Sequence, residues 1–256
     1  MLKRVYMMAA LLFCCIVEVQ AQAQQQKEIA SSTNGWFLLM NEFRFSPKWF
    51  LSTEVHLRRA DHVVNEWQQI LLRPAINYRI TPAIDFGVGY TYIRSFPYGE
   101  QPLRTIVPEN QLWQQLHMRH SIGKVGLMHR YRLEERWIGS IQPDDEGGFM
   151  IEGSDYAQRF RYRLFARVPL YNIEEGQKQL FISAWDELFI NLERDFMFSN
   201  FQQNRIYIGL GYQFSPMVNL QAGYMSQVVR KLNGFQYERN PTINVSLFYN
   251  IDLYKK

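Results

Sequence analysis

The sequence predicts an all-β fold: a single antiparallel transmembrane β-barrel of about 12 strands, with ten as the alternative. Three observations predict this fold. Apolar and polar residues alternate along most of the chain, short and long connections follow one another between the predicted strands, and no run of about 18 apolar residues follows the N-terminal segment. A strand with one face toward lipid and the other toward a polar lumen requires such alternation.

The N-terminal segment is typical of a secretory signal peptide. Two basic residues precede an apolar stretch, and small residues follow at Ala21 and Ala23. We therefore predict a cleaved signal peptide over residues 1–23 and one outer-membrane β-barrel domain over residues 24–256. Cleavage after Ala21 is the close alternative.

Both cysteines of the chain, Cys14 and Cys15, lie inside the predicted signal peptide. A lipid-modified cysteine would need a small residue before it, and Phe13 stands there instead, so we favour cleavage over lipid anchoring. The mature chain would then have no disulfide and no thiol nucleophile. The net charge of the full chain is only +4, which gives no case for nucleic-acid binding.

The alternation identifies each strand in turn. In the fourth predicted strand, for example, Phe86 and Val88 share one face, and Asp85 and Gly87 share the other. The same pattern places strands near residues 35–45, 48–59, 65–80, 83–94, 109–122, 125–138, 155–170, 178–192, 203–215, 217–230 and 240–254.

The connections between these strands alternate in length, as is typical of bacterial barrels with short periplasmic turns and longer extracellular loops. Tight turns are predicted at residues 46–47, 81–82, 123–124 and 215–216, and long polar loops at 95–108, 139–154, 193–202 and 231–239. Because bacterial barrels prefer an even number of strands, we predict one more strand over residues 25–32.

Aromatic residues cluster at the predicted strand ends, where an amphipathic ring suits a membrane interface. The predicted periplasmic end carries Phe45, Trp49, Tyr78, Tyr212, Phe214 and Tyr254, and the outer end carries Tyr92, Trp137, Tyr156 and Tyr224.

Arginines recur on one face of two consecutive predicted strands. An arginine near the middle of the lipid-facing surface would cost about 2 to 4 kcal/mol, so this face must point into the lumen. Glu134 and Glu187 are the nearest counter-charges, and Glu42, Glu54 and Asp85 lie farther round the barrel. We define the lumen charge network as Arg130, Arg132, Glu134, Arg136, Arg159, Arg161, Arg163, Arg167 and Glu187.

Two interpretations of the lumen charge network remain open. It can be the polar filling of a small closed barrel, in which buried ion pairs are costly to break. It can also be a path or pocket for small anions, because rings of charged side chains select ions in pores.

The sequence gives no sign of a metal, a cofactor or a catalytic group. The histidines at positions 56, 62, 117, 120 and 129 do not form a ligand set at characteristic spacing. His120 and Ser121 are consecutive strand residues and therefore point to opposite faces, which argues against a catalytic dyad. The acidic residues at 144–146 lie in a predicted loop, where a solvated surface is the ordinary interpretation.

Five segments resemble an uncharacterised family of Bacteroidota outer-membrane β-barrels of unknown function. They are Leu71-Leu72-Arg73-Pro74, the stretch over residues 109–116, Arg130-Tyr131-Arg132-Leu133-Glu134-Glu135-Arg136-Trp137, residues 159–164 and residues 204–212. The resemblance implies a single barrel domain over nearly the whole mature chain, and it implies no activity, cofactor or catalytic residue.

We expect an integral outer-membrane barrel that acts as a narrow channel or as a component of an envelope assembly. Its expected partners are outer-membrane lipid and small anions in the lumen, and the sequence identifies no protein partner. A membrane-embedded hydrolase is the alternative of a different class. A soluble periplasmic barrel that holds a lipid is a further alternative, in which the same alternation would place apolar side chains inside.

Overall fold

The computed structural model describes residues 31–99, 103–173, 177–192, 200–230 and 237–254. The predicted signal peptide lies outside this range. In the described part of the chain, no helix has the length and apolar character needed to cross a membrane. Eleven strands are described: β1 (Asn34–Arg44), β2 (Trp49–Ala60), β3 (Glu66–Thr81), β4 (Ile84–Ser95), β5 (Val107–Ile122), β6 (Val125–Pro143), β7 (Phe149–Ile173), β8 (Lys178–Asn191), β9 (Phe201–Gln213), β10 (Val218–Arg230) and β11 (Tyr237–Asp252).

The strands form one closed barrel in which every strand pairs antiparallel with its neighbour in sequence, and β1 closes the sheet by pairing parallel with β11. The β1–β11 register runs without a shift from the Asn34–Thr242 pair to the Arg44–Asp252 pair. The described strand number is therefore eleven, which corrects the predicted 12 and its alternative of ten. Residues 25–30 of the extra predicted strand lie outside the described residues, and residues 31–33 lead into β1 without being part of a strand.

Polar and apolar residues face opposite sides of the barrel wall as predicted, because successive side chains of a strand point to opposite sides of the sheet. In β4, Asp85 and Thr91 point inward and are fully buried, whereas Phe86, Val88 and Tyr90 point outward and are exposed. The same division holds around the barrel, so most exposed large apolar side chains belong to its outer surface.

The two ends of the barrel differ as the sequence predicted. The turns at one end have two to four residues, and the connections at the other end have five to eleven. We call these the short-turn end and the long-loop end. One predicted loop is wrong: most of residues 139–154 extend β6 and β7 as a projecting hairpin, and only a turn at residues 144–148 joins them.

Ring contacts reinforce the strand ends where aromatic residues were predicted. At the short-turn end the rings of Trp49 and Tyr78 lie 4.8 Å apart between centroids. At the long-loop end Trp137 and Tyr156 face each other across β6 and β7 at 5.5 Å. Tyr156 is about half exposed, so a large ring remains on the outer surface.

The inner surface carries many buried charged and polar groups beside buried rings such as Trp36 and Trp113. Buried inward side chains include Arg73, Asn77, Gln111, Gln115, Glu134, Glu187, Thr242 and Asn244. These buried charges argue against the alternative of a soluble barrel that holds a lipid, because a lipid chain beside them would replace their polar contacts.

Two inward glycines supply a matched test of interior packing. A Cβ at Gly89 would lie 2.6 Å from Cη2 of the Trp113 ring, whereas a Cβ at Gly126 would meet nothing closer than a backbone oxygen at 3.9 Å. We expect Gly89→Ala to lower the free energy of unfolding by about 1–3 kcal/mol through overpacking. Gly126→Ala should not lower it. Urea unfolding of the detergent-solubilised protein measures both, and equal effects would contradict the packing described here.

Candidate functional site

The arginines of β6 and β7 point into the lumen because they occupy alternate positions on strands whose other positions carry Tyr131, Leu133, Tyr162 and Leu164 on the outer face. Arg132 is 1% exposed. Arg130, Arg136 and Arg161 are also buried, and Arg159, Arg163 and Arg167 are partly buried.

Glu187 of β8 is the first centre of the ion pairing. Its Oε1 accepts hydrogen bonds from Arg161 Nη2 at 2.6 Å and from Arg130 Nη2 at 2.5 Å, and its Oε2 accepts from Arg163 Nη2 at 2.7 Å. The carboxylate is fully buried, so three guanidiniums replace its hydration.

Glu134 of β6 is the second centre, and it is also fully buried. It lies 2.5 Å from both Arg159 and Arg161, and 3.8 Å from Arg132 Nη1. Because Arg161 bridges Glu134 and Glu187, the two centres form one network.

Glu54 of β2 extends the network across the lumen. Its Oε2 accepts from Arg73 Nη1 at 2.7 Å and contacts His56 Nε2 at 2.9 Å, and its Oε1 lies 3.9 Å from Arg132 Nη2. The network thus joins β2 and β3 to β6, β7 and β8.

Two arginines of the predicted lumen charge network lie apart from these centres. Arg136 pairs with Glu109 of β5 at 2.5 Å. Arg167 donates to the amide oxygens of Gln179 and Gln213 at 2.7 and 2.9 Å, and it stacks on Phe181.

The more distant counter-charges behave differently from one another. Glu54 joins the network, as described above. Glu42 pairs with Arg44 at 3.0 Å, and Asp85 pairs with His117 and Arg119. Glu42 and Asp85 therefore neutralise local cations. Apart from Arg136 and Arg167, the arginines of β6 and β7 in the lumen charge network are left to Glu54, Glu134 and Glu187.

Sequence reasoning missed four arginine- or carboxylate-bearing positions of the site: Arg58, Arg73, Glu109 and Arg205. None of them has a like charge two residues away on its strand, so no ladder marks it. The strand alternation does place each of them on the inner face, and that was the available signal.

Aromatic rings hold the guanidiniums in place. Arg58 lies 3.8 Å and Arg205 4.8 Å from the centroid of Trp36, and Arg132 lies 4.0 Å from Trp113. Arg161 and Arg205 also contact Phe189 at 4.4 and 4.5 Å. Such cation–π contacts restrict the guanidiniums without neutralising them.

The described residues line two chambers in the lumen. A chamber of about 340 Å³ lies toward the long-loop end, and another of about 330 Å³ lies toward the short-turn end. Five residues line both chambers and separate them: Trp36, Arg58, Arg73, Arg161 and Arg205. We call these five residues the waist.

The histidines and the acidic turn take structural positions. No group of three or more His, Cys, Asp or Glu side chains among the described residues is placed to hold a metal ion. His120 stacks on His129 at 5.2 Å on the outer face, on the side opposite to Ser121. Asp144 Oδ1 accepts from the backbone N–H groups of Glu146 and Gly148, so it caps the turn of the projecting hairpin.

Comparisons with known proteins found a similar curated protein and a similar solved structure. The chain is 24% identical over 197 residues to an uncharacterized protein of Methylorubrum extorquens, which covers 75% of this chain and 77% of that protein. It is also similar to a solved NanC porin structure with a TM-score of 0.46 and 10% identity, over 86% of this chain and 99% of the porin chain.

A family model described as "Protein of unknown function (DUF2490)" matches residues 33–239, which include β1 to β10 and the first three residues of β11. This confirms the predicted membership of a family of unknown function, and the bacterial phylum stays a prediction. Since the match covers well over half of its length, the chain belongs to the DUF2490 family.

Proposed function

We propose that the protein is an integral outer-membrane barrel whose short-turn end faces the periplasm. The outer face supports this proposal, because apolar side chains that a soluble protein would bury are exposed there. They include Leu72, Ile76, Phe86, Val88, Leu112, Ile208, Leu210, Ile243 and Leu247. An exposed apolar surface around a whole barrel suits contact with lipid.

Cell fractionation tests the location. We expect the protein in the outer-membrane fraction, extractable only with detergent. Recovery of the folded protein from the periplasm without detergent would contradict the proposal.

Within that barrel we propose a narrow, anion-preferring channel. The observation that carries the proposal is the charge imbalance at and beside the waist. Three carboxylates, those of the partly buried Glu54 and of the fully buried Glu134 and Glu187, face eight guanidiniums, which belong to Arg58, Arg73, Arg130, Arg132, Arg159, Arg161, Arg163 and Arg205. A surplus of fixed positive charge in a low-dielectric wall attracts anions and repels cations.

The waist limits conduction. Three of its four guanidiniums, those of Arg58, Arg161 and Arg205, are stacked on rings, and all four lie at the boundary between the two chambers, so an ion that crosses must displace side chains. We therefore expect a small conductance, well below that of a water-filled porin.

Planar bilayer recordings under a potassium chloride gradient test the selectivity. We expect a reversal potential that lies closer to the equilibrium potential of chloride than to that of potassium. Arg132→Gln should lower the permeability ratio of chloride to potassium by about fivefold, since a close ion pair in water is worth about 1 kcal/mol. Arg94→Gln, an exposed arginine on the outer face of β4, is the matched control and should leave the ratio unchanged. Equal permeability for chloride and potassium in the unaltered protein would contradict an anion-preferring channel.

A further inference from the structure

Two arginines of the waist share one aromatic ring. Arg58 comes from β2 and Arg205 from β9, and both guanidiniums lie against Trp36 of β1 at 3.8 and 4.8 Å from its centroid. Arg58 is 6% exposed and Arg205 is 8% exposed. The barrel wall therefore brings two positive charges from separate strands to one buried place.

Neither of these arginines has a carboxylate of its own among the described residues. Arg58 Nη1 donates to Gln69 Oε1 at 2.6 Å, and Arg58 Nη2 lies 3.5 Å from His56 Nδ1. Arg205 Nη2 lies 2.9 Å from the Gln203 amide when the amide oxygen faces the guanidinium. Amide oxygens carry no net charge, so these contacts supply hydrogen bonds but no counter-charge. The charge of Glu187 acts on both arginines from beyond ion-pair distance, and Arg58 Nε has no hydrogen-bond partner in the described part of the chain.

The carboxylate whose charge acts on both arginines, that of Glu187, is already occupied. Glu187 accepts from Arg130, Arg161 and Arg163, which use both of its oxygens. A buried pair of like charges without a partner is costly, and a bound anion offsets that cost.

The chamber on the long-loop side is built to receive such an anion. Arg58, Arg161 and Arg205 lie at its waist, and uncharged amides form much of its wall: Gln68, Gln69, Gln202, Gln203, Gln227 and Asn240. Of the carboxylates that line it, Glu109 pairs with Arg136, and Glu238 is 2% exposed and has contacts of its own. Planar guanidiniums and amide N–H groups together match an anion that has several oxygens and more than one charge.

We propose that the long-loop chamber is a binding site for a doubly charged oxyanion of the phosphate or sulfate class, clamped between Arg58 and Arg205. We call this site, with Arg58 and Arg205 on either side of the anion, the clamp. It rests on the proposed channel, because the anion would enter the barrel from the long-loop end. It adds a preference that a surplus of charge alone would not give, because several directed donors select a multi-oxygen anion over chloride.

Isothermal titration calorimetry of the full mature chain in a non-ionic detergent tests the clamp. Inorganic phosphate, sulfate, glycerol phosphate and chloride are titrated separately. We expect phosphate and sulfate to bind at least about tenfold more tightly than chloride, since hydrogen bonds to charged groups are each worth about 1.5–3 kcal/mol. If glycerol phosphate binds more tightly than inorganic phosphate, the natural ligand is a phosphate ester. If the two bind equally, the natural ligand is the free ion.

Single substitutions locate the site. Arg58→Gln and Arg205→Gln should each weaken phosphate binding roughly tenfold or more, because each removes one charged donor. Arg94→Gln makes the same change on the outer face and should leave binding unchanged. If either glutamine variant fails to fold, Arg58→Lys keeps the charge and removes the planar fork, and it should weaken phosphate binding while chloride binding stays constant.

Bilayer recordings and binding measurements together distinguish an error in the proposed clamp from an error in the proposed channel. An unaltered protein that prefers chloride in bilayers but shows no binding of any oxyanion would overturn the clamp and leave the channel standing. Phosphate binding that persists in folded Arg58→Gln and Arg205→Gln would also overturn the clamp. Phosphate binding lost in both variants, in a protein that conducts no ions, would contradict the channel and support the clamp.

Discussion

Replacing Glu187 with glutamine is expected to lower the free energy of unfolding by about 3–5 kcal/mol, the cost of breaking a buried ion pair by removing one partner. The carboxylate is fully buried and accepts from three guanidiniums, so the neutral amide leaves Arg130, Arg161 and Arg163 without their shared counter-charge. Urea unfolding in detergent micelles, followed by circular dichroism, measures the change.

Glu152→Gln is the control for this substitution. Glu152 is exposed on the projecting hairpin, and the same chemical change there should alter the free energy of unfolding by no more than about 0.5 kcal/mol. If Glu187→Gln were as stable as Glu152→Gln, the lumen charges could not depend on Glu187 in the way that the distances indicate.

Placing an arginine on the outer face at Val88 should hinder insertion into lipid. Val88 lies near the middle of β4 and is 47% exposed, and an arginine at the midplane of a bilayer costs about 2–4 kcal/mol. Equilibrium folding of Val88→Arg into phospholipid vesicles, compared with folding into detergent, measures this cost.

Val64→Arg is the matched change outside the strands, in the connection between β2 and β3 at the long-loop end. The cost of a charge falls to near zero toward the interface, so Val64→Arg should fold into vesicles as the unaltered protein does. Equal effects of the two substitutions in vesicles would show that the outer face does not meet lipid.

Most of the strands could be predicted from the sequence because an alternation of period two leaves each strand only one way to face the lumen. A single step in register would turn Asp85 and Thr91 toward the outer face. The projecting hairpin could not be predicted, since its residues near Gly139 and Gly153 resemble loop residues while cross-strand pairs such as Ile141–Ile151 hold it together.

The core of the candidate site was only partly predictable, for a reason of topology. The arginines of β6 and β7 form ladders that can be seen within one stretch of sequence. Arg58 and Arg205 meet at Trp36 only because the sheet closes on itself and brings β1 and β2 near β9. The predicted strand number was wrong for the same reason: neither the sequence of β1 nor that of β11, taken alone, shows that these two strands pair and close the barrel.

The parallel pairing of β1 with β11 has a consequence for how the chain folds. Every other strand pair joins neighbours in sequence, but this seam joins residues 208 positions apart, as in the hydrogen bond from Ser32 N to Asn240 Oδ1. Hairpins therefore form early. The pairing of β1 with β11 comes last, and it costs the entropy of closing a loop that contains nearly the whole domain. Until then two long edges stay unpaired, so we expect refolding at high concentration to yield chains joined edge to edge.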